Sequence, residues 1–375
     1  MSGSLKFLEK VTKKFNFGKR MTLRRYSYQI KRHQSKTSDL QPNITDNEFV
    51  SSAVYMFPIF VKDLTDNIIC DKEPEFKMRY QRMIEYPLLV GNKEVPCMTA
   101  MCYKTLERPE KLNEDNMNQA YLLGWLGEMI QIIMYMASDK INNVEIRNNA
   151  QTWHSVQDVG LLVANDTCLL QNSIFVLLKK YFRNHPNYPR FIELFHSSLY
   201  TSFQGHNLEI ISKDINRFDM NVIERIAKYK IATGCFNWPL KCAVYLADLD
   251  PTYYFEQGRN IVEEIAVYKK IKADFLDSFG NHPQHLNIKQ GYCSWLVVKL
   301  LETCSSNQQN TFKENYGQIE EKSINEVISL YNAAKLPVLF ETYKVKKNAD
   351  IRKKIGLIED EDVKRCLTSF WNQTF

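Results

Sequence analysis

Strand patterning is what this 375-residue chain has least of. Apolar–polar alternation is scarce, and the few Gly (13) and Pro (12) fall mostly between long periodic runs, which argues against a β-rich fold with its many turns. No C-x-x-C pair occurs, and the nine cysteines are an odd number, which fits buried thiols in a reducing compartment better than a disulfide framework. Seven scattered histidines show no zinc spacing. His282 and His285 stand at i, i+3, but in a Pro-containing loop without cysteine partners, so a solvated loop is the plainer reading. There is no secretory signal and no membrane span. The most apolar stretch, Tyr121 to Ala137, contains Glu128 and Gln131 and reads as an amphipathic core helix.

Charge is unevenly placed. Residues 1–38 hold eleven Lys and Arg against one acid, Glu9, which leaves a net −4 on the remainder of a chain whose total is +6. The basic balance belongs to the leader, so nucleic-acid binding by the rest has little support. The leader is acid-poor and hydroxyl-rich, and Leu5, Leu8, Val11 and Phe15 gather on one side of a short helix. That is the composition of a mitochondrial transit peptide, with Arg24-Arg25-Tyr26-Ser27 offering a cleavage site after Tyr26. The alternatives are a disordered basic tail or a start at Met21, which shortens the leader and leaves the protein cytoplasmic. The expected division is a leader over 1–38 and one folded domain over 39–375.

Beyond the leader, helical periodicity runs through about 46–70, 74–90, 114–142, 161–183, 189–212, 218–247, 253–280, 289–304 and 323–345. The fold class is therefore all-α, with 44% hydrophobic residues enough to bury a large core. Two of these helices end in acids. Asp139 and Asn142 stand at i, i+3 at the end of the first, and Asp274 and Asp277 repeat the spacing in the second. Facing oxygen ligands on two bundle helices can build a hard-cation site. The plainer reading is ordinary helix-end carboxylates, with Lys270 and Asp274 as a surface ion pair at i, i+4.

These stretches resemble the paired aspartate-rich motifs of the trans-isoprenyl diphosphate synthases, most closely the insect and vertebrate farnesyl diphosphate synthases. The resemblance runs from roughly Asp63 to the C-terminus and is strongest at DVGLLVANDTCLLQNSIFVLLKKYF (158–182), CSWLVVKLLE (293–302), FKENYGQIEE (312–321) and LPVLFETY (336–343). It implies an isoprenoid-synthase helical bundle around a central apolar cavity, a homodimer, an allylic diphosphate substrate and Mg2+. Magnesium and basic side chains neutralise the departing diphosphate, and an apolar pocket shelters the carbocation.

The family's motifs read D-D-x-x-D. Here they read Ser138-Asp139-Lys140-Ile141-Asn142 and Ala273-Asp274-Phe275-Leu276-Asp277, so three of the six aspartates survive and both leading ones are gone. The resemblance makes Asp139, Asn142, Asp274 and Asp277 the metal candidates. On the allylic side, Arg147 and Lys230 match diphosphate-binding cations and Gln131 the pocket glutamine. Ile231 replaces a usual threonine and His206 a usual glutamine. Ile133 and Met134 stand where chain length is limited, and their medium bulk leaves room for fifteen carbons. Tyr135, Phe203, Phe236 and Trp238 are either pocket aromatics or plain core.

The second-substrate side is depleted. The family's G-K-x-x-R stretch is Gly91-Asn92-Lys93-Glu94-Val95 here, Asn148 replaces an arginine, Tyr292 a lysine, and the end Phe370–Phe375 carries no charged side chain. Losing cations that would hold isopentenyl diphosphate disfavours condensation. A similar departure marks insect terpene synthases derived from farnesyl diphosphate synthase-like ancestors. The leading expectation is a Mg-dependent type I terpene synthase converting farnesyl diphosphate (or geranyl diphosphate) to a terpene, chiefly a sesquiterpene hydrocarbon or alcohol. A non-catalytic homologue, such as a regulatory partner of an active synthase, is the rival, and residual prenyl transfer is third.

Overall fold

The computed structural model describes residues 47–66, 73–91 and 93–375. The leader, its boundary at residue 38 and Asn92 lie outside the described residues. The described chain is almost wholly helical: α1 (Asn47–Asp66), α2 (Pro74–Val90), α3 (Glu94–Leu106), α4 (Glu114–Ile141), a two-residue hairpin β1 (Ile146–Arg147) and β2 (Ala150–Gln151), α5 (Val163–Phe182) and α6 (Tyr188–Ile211). Next come α7 (Met220–Ile226), a π-helical segment (Ala227–Asn237), α8 (Trp238–Leu246), α9 (Pro251–Phe279), α10 (Leu286–Gln290), α11 (Trp295–Leu301), α12 (Ser306–Asn315), α13 (Glu321–Ala333), α14 (Leu336–Gly356) and α15 (Glu361–Thr374). The expected all-α class is what the chain adopts.

The centre of the bundle is α4. Its start is capped by Asn113, whose side chain accepts from the Asn116 N–H at 3.0 Å. From Ala120 to Ile130 every side chain is buried, because α1, α3, α5 and α8 pack around it. Trp125 illustrates the packing: its indole N–H donates to Ala53 O at 2.8 Å, and the Phe57 and Phe60 rings lie 5.0 and 5.6 Å away. Gly124 permits the close approach of α3, since a Cβ there would lie 2.4 Å from Pro96 Cα.

A second core fills the space between α9, α11, α13 and α14. Trp295, Leu296, Val297, Val327, Tyr331 and Phe340 are buried in it, and the Phe275 ring of the second motif stacks on Phe340 at 3.9 Å. That contact turns the motif's helix so that Asp274 faces the interior, where it is 2% exposed.

Several expected boundaries move. The run 218–247 is broken by the π-helical segment, where backbones crowd: a Cβ on Gly205 of α6 would lie 2.6 Å from Lys230 N. Wide turns of this kind occur where a helix must reshape itself around a site. The run 289–304 divides at Gly291 (φ 66°), and 323–345 divides at Lys335 (φ 55°), ahead of Pro337 near the start of α14. Helices α3, α12 and α15 were not expected. Most of α3 is buried, so its sequence carries no one-sided period. His282 is exposed as expected, but His285 is half-buried, just ahead of α10.

Gly124→Ala tests the α3–α4 approach. The added methyl meets backbone, which cannot rotate away, so a loss of roughly 1–3 kcal/mol or more is expected in chemical denaturation. Unchanged stability would mean the helices lie farther apart than described.

Candidate active site

A cleft of about 150 Å³ opens between α2, the start of α3, α4, the hairpin, Cys235 of the π-helical segment and Lys269 of α9. The hairpin carries Arg147 to it. Asn148 and Asn149 take left-handed conformations (φ 50° and 60°) between the paired strands, the form asparagine favours in a two-residue hairpin turn. Arg147 Nε donates to both oxygens of Asp139, at 2.9 and 3.2 Å, and Nη2 donates to Oδ1. The guanidinium also lies 4.8 Å over the Tyr135 ring. Gln131 Nε2 donates to Cys235 Sγ at 3.0 Å.

The inner wall is acidic. Glu128 projects from the middle of α4 at 4% exposure. Burial first, and then the Glu94 carboxylate, push its pKa up to about 7, against the pull of Lys93 and the Val95 N–H. Glu94 pairs with Lys269 at 2.9 Å. Lys93 is not among the residues that line the cleft; its Nζ donates to Leu89 O and Gly91 O at 3.0 and 2.9 Å, so it caps the end of α2.

A separate chain of largely buried charge joins α6, the π-helical segment and α9. Lys230 pairs with Glu209, and Lys270 Nζ reaches Glu209 Oε1 at 3.1 Å and Asp274 Oδ1 at 2.7 Å. Burial disfavours charge on Lys270, but the Asp274 and Glu209 carboxylates outweigh it and push its pKa upward. His206 sits nearby with its Nε2 unpaired. Burial and then Lys230 lower its pKa to about 4, so it is neutral.

The structure thus divides the expected site residues. Gln131, Asp139 and Arg147 line the cleft together. Lys230, His206 and Asp274 belong to or border the buried chain instead. Asp277 accepts from the Leu286 and Asn287 N–H groups, each at 2.9 Å, and so caps α10. Asn142 Oδ1 accepts from the Tyr292 hydroxyl, and its Nδ2 donates to Ser138 Oγ at 3.2 Å. Ile133 and Met134 are buried and are not among the residues that line this cleft. Of the aromatics, Tyr135 lines the cleft, while Phe236 packs on Phe370 and Trp238 on Phe195. The cleft is not the expected apolar cavity, because Glu94, Glu128 and Lys269 contribute charge to its wall. Sequence reading passed over Glu94, Glu128, Glu209 and Lys269. Only Glu128 carried a signal, as an acid inside an otherwise apolar run.

These residues do not fit the magnesium array that the paired motifs imply. Both Asp139 oxygens are taken by Arg147, those of Asp274 by Lys270, Asn287 Nδ2 and Trp295 N, and those of Asp277 by backbone N–H groups. Lys270 and Asp274, read from sequence as a surface pair, are instead buried, with side chains 7% and 2% exposed. Among the described residues, no three His, Cys, Asp or Glu side chains come together to hold a metal. Magnesium demands near-ideal oxygen coordination, and here the acids have neighbours of their own.

The fold and its charged helix ends define the class of helical isoprenoid synthases. The solved structure of a Trypanosoma brucei farnesyl diphosphate synthase complexed with risedronate superposes with a TM-score of 0.81 at 20% identity, covering 87% of this chain and 98% of that one. The chain belongs to the polyprenyl synthetase family, whose profile matches residues 77–334. Relatives include farnesyl pyrophosphate synthases of Bos taurus, 30% identical over 81% of this chain and 88% of that protein, and of Zea mays, 29% identical over 85% and 95%.

Glu128 gives a pH test. Folded, it keeps its proton to about pH 7; unfolded, it releases it near the ordinary value of about 4.3. Between these values the native state binds more protons, so its contribution to stability falls as pH rises. Glu128→Gln should remove that fall, and at pH 8 should be more stable than wild type by on the order of 2–3 kcal/mol in urea titrations. Parallel pH profiles would show that Glu128 ionises normally.

Proposed function

We propose that this chain acts on one allylic diphosphate and does not join two, as a type I terpene synthase that ionises farnesyl diphosphate to a sesquiterpene hydrocarbon or alcohol. The observation that carries the proposal is the fate of the second-substrate positions. Lys93 is spent capping α2, Val95 is buried, Asn148 sits in a tight turn, and the Tyr292 hydroxyl is bound to Asn142. These positions have structural employment and present no cation to a second diphosphate. Asn92, the remaining one, lies outside the described residues.

On the allylic side, Arg147 stands at the cleft with its side chain 31% exposed. A diphosphate oxygen can take the guanidinium from Asp139 without opening the core. The exchange would place a fixed positive charge on the leaving group, and the Tyr135 face would lie against the developing cation. No step is assigned to magnesium, which the family resemblance implies but the present donor set does not fit. One observation favours a second reading, a non-catalytic homologue that regulates an active synthase: every surviving motif aspartate already has a bonding partner.

Two further parts of the proposal rest on the surface and on the leader. The segment Gly160–Phe182 is long and apolar enough to cross a bilayer, as is α4, but its most apolar window is only 39% buried, against 83% for α4. Leu161, Leu162 and Val176 are exposed there. A second copy of the chain would cover this face, making a homodimer. The leader composition assigns the protein to mitochondria.

The decisive measurement is one incubation series with full-length protein and Mg2+. Isopentenyl and dimethylallyl diphosphates together should yield no geranyl or farnesyl diphosphate, and farnesyl diphosphate alone should yield a volatile terpene. Efficient condensation would sink the one-substrate proposal; absence of any terpene from farnesyl or geranyl diphosphate would rule for the non-catalytic reading. A fluorescent protein fused after residue 38 should enter mitochondria, and a diffuse cytosolic signal would defeat that assignment.

A further inference from the structure

We propose that the second aspartate motif is a charge-clamped joint between helices and not a metal-binding element, with the Lys270 ammonium occupying the place between carboxylates that a divalent cation would need. This holds whether or not the cleft turns over a substrate. Lys270 Nζ lies 2.7 Å from Asp274 Oδ1 and 3.1 Å from Glu209 Oε1, and the three side chains are 7%, 2% and 10% exposed. Glu209 Oε2 takes Lys230. Two carboxylates and two ammonium groups therefore neutralise each other, with Lys270, Asp274 and Glu209 nearly out of contact with solvent and Lys230 24% exposed at the outer end.

The geometry is that of a fastening. Asp274 and Lys270 stand on α9, Glu209 on α6 and Lys230 on the π-helical segment. Asp274 also accepts from the Trp295 N–H at the start of α11 (3.1 Å) and from Asn287 Nδ2 on α10 (3.2 Å). Asp277, one turn on, holds the first two N–H groups of α10. Each oxygen of the motif thus ties α9 to an element after it or beside it. A divalent ion here would have to expel Lys270, whose side chain is only 7% exposed. Replacing a monovalent cation already seated between two carboxylates would also leave Lys270 buried without a partner, which is costly.

The test uses the full-length chain with Mn2+ and inorganic diphosphate as probes, and reads metal binding and unfolding, not turnover. Bound Mn2+ is measured by electron paramagnetic resonance for wild type and for Asp274→Asn. Equal Mn2+ affinity in the two proteins is the expected result; an affinity at least tenfold weaker in Asp274→Asn would overturn the proposal. Thermal unfolding supplies the second arm. Wild-type Tm should be the same with Mn2+ and diphosphate as with diphosphate and EDTA. Lys270→Gln, which leaves Asp274 and Glu209 facing each other, should lower Tm by on the order of 5–10 °C, and Mn2+ should restore part of that loss by entering the vacated place. A wild-type Tm that rises with Mn2+, with the rise abolished by Asp274→Asn, would show the motif to be a metal site after all. Such a result would leave the one-substrate reading standing, since that is judged by products.

Discussion

The site half of the bundle depends on a positive charge kept where water scarcely reaches it. A buried ammonium is tolerable only with carboxylates in contact, and Lys270 has two, on different helices. Because these charges come from different elements and pair with one another, they tie α6, α9 and the π-helical segment together, and through Asp274 the starts of α10 and α11 as well. The cleft shares two of those elements, through Cys235 of the π-helical segment and Lys269 of α9.

The first motif is built differently. Asp139 is buried, but its partner Arg147 rides on a short hairpin with part of its side chain in solvent. An ion pair with one partner partly in solvent can be shared with an incoming anion, whereas one sealed between helices cannot. The two motifs are alike in sequence spacing, yet one is an adjustable contact and the other a structural bond. Family membership therefore sets the fold of this chain more firmly than it sets the partners of its motif carboxylates.

Glu128 and its neighbours show a related economy. Glu94 and Lys269 pair with each other at the cleft wall, Lys93 serves carbonyl groups of α2, and Glu128 is left in a pocket too dry to ionise readily. A surface that in a two-substrate enzyme would need free cations is here internally compensated. Compensation of this sort leaves each charge of the wall with a partner inside the protein.

The sequence by itself determined the helical class, the extent of α2, α4, α5, α6 and α9 to within a few residues, and the place of Asp139–Asn142 and of Asp274–Asp277 at the ends of two helices. Those features are local: a 3.6-residue period and i, i+3 spacing are set by the backbone alone. Position 148 was legible as a lost arginine, but not as the turn residue that aims Arg147. Only the tertiary structure decided which charges meet. Glu209 and Lys230 lie far along the chain from Asp274, and nothing in their spacing announces that Lys270 stands between them. Whether a carboxylate is free for a metal or already satisfied depends on burial and on partners from other helices, and these exist only once the bundle has closed.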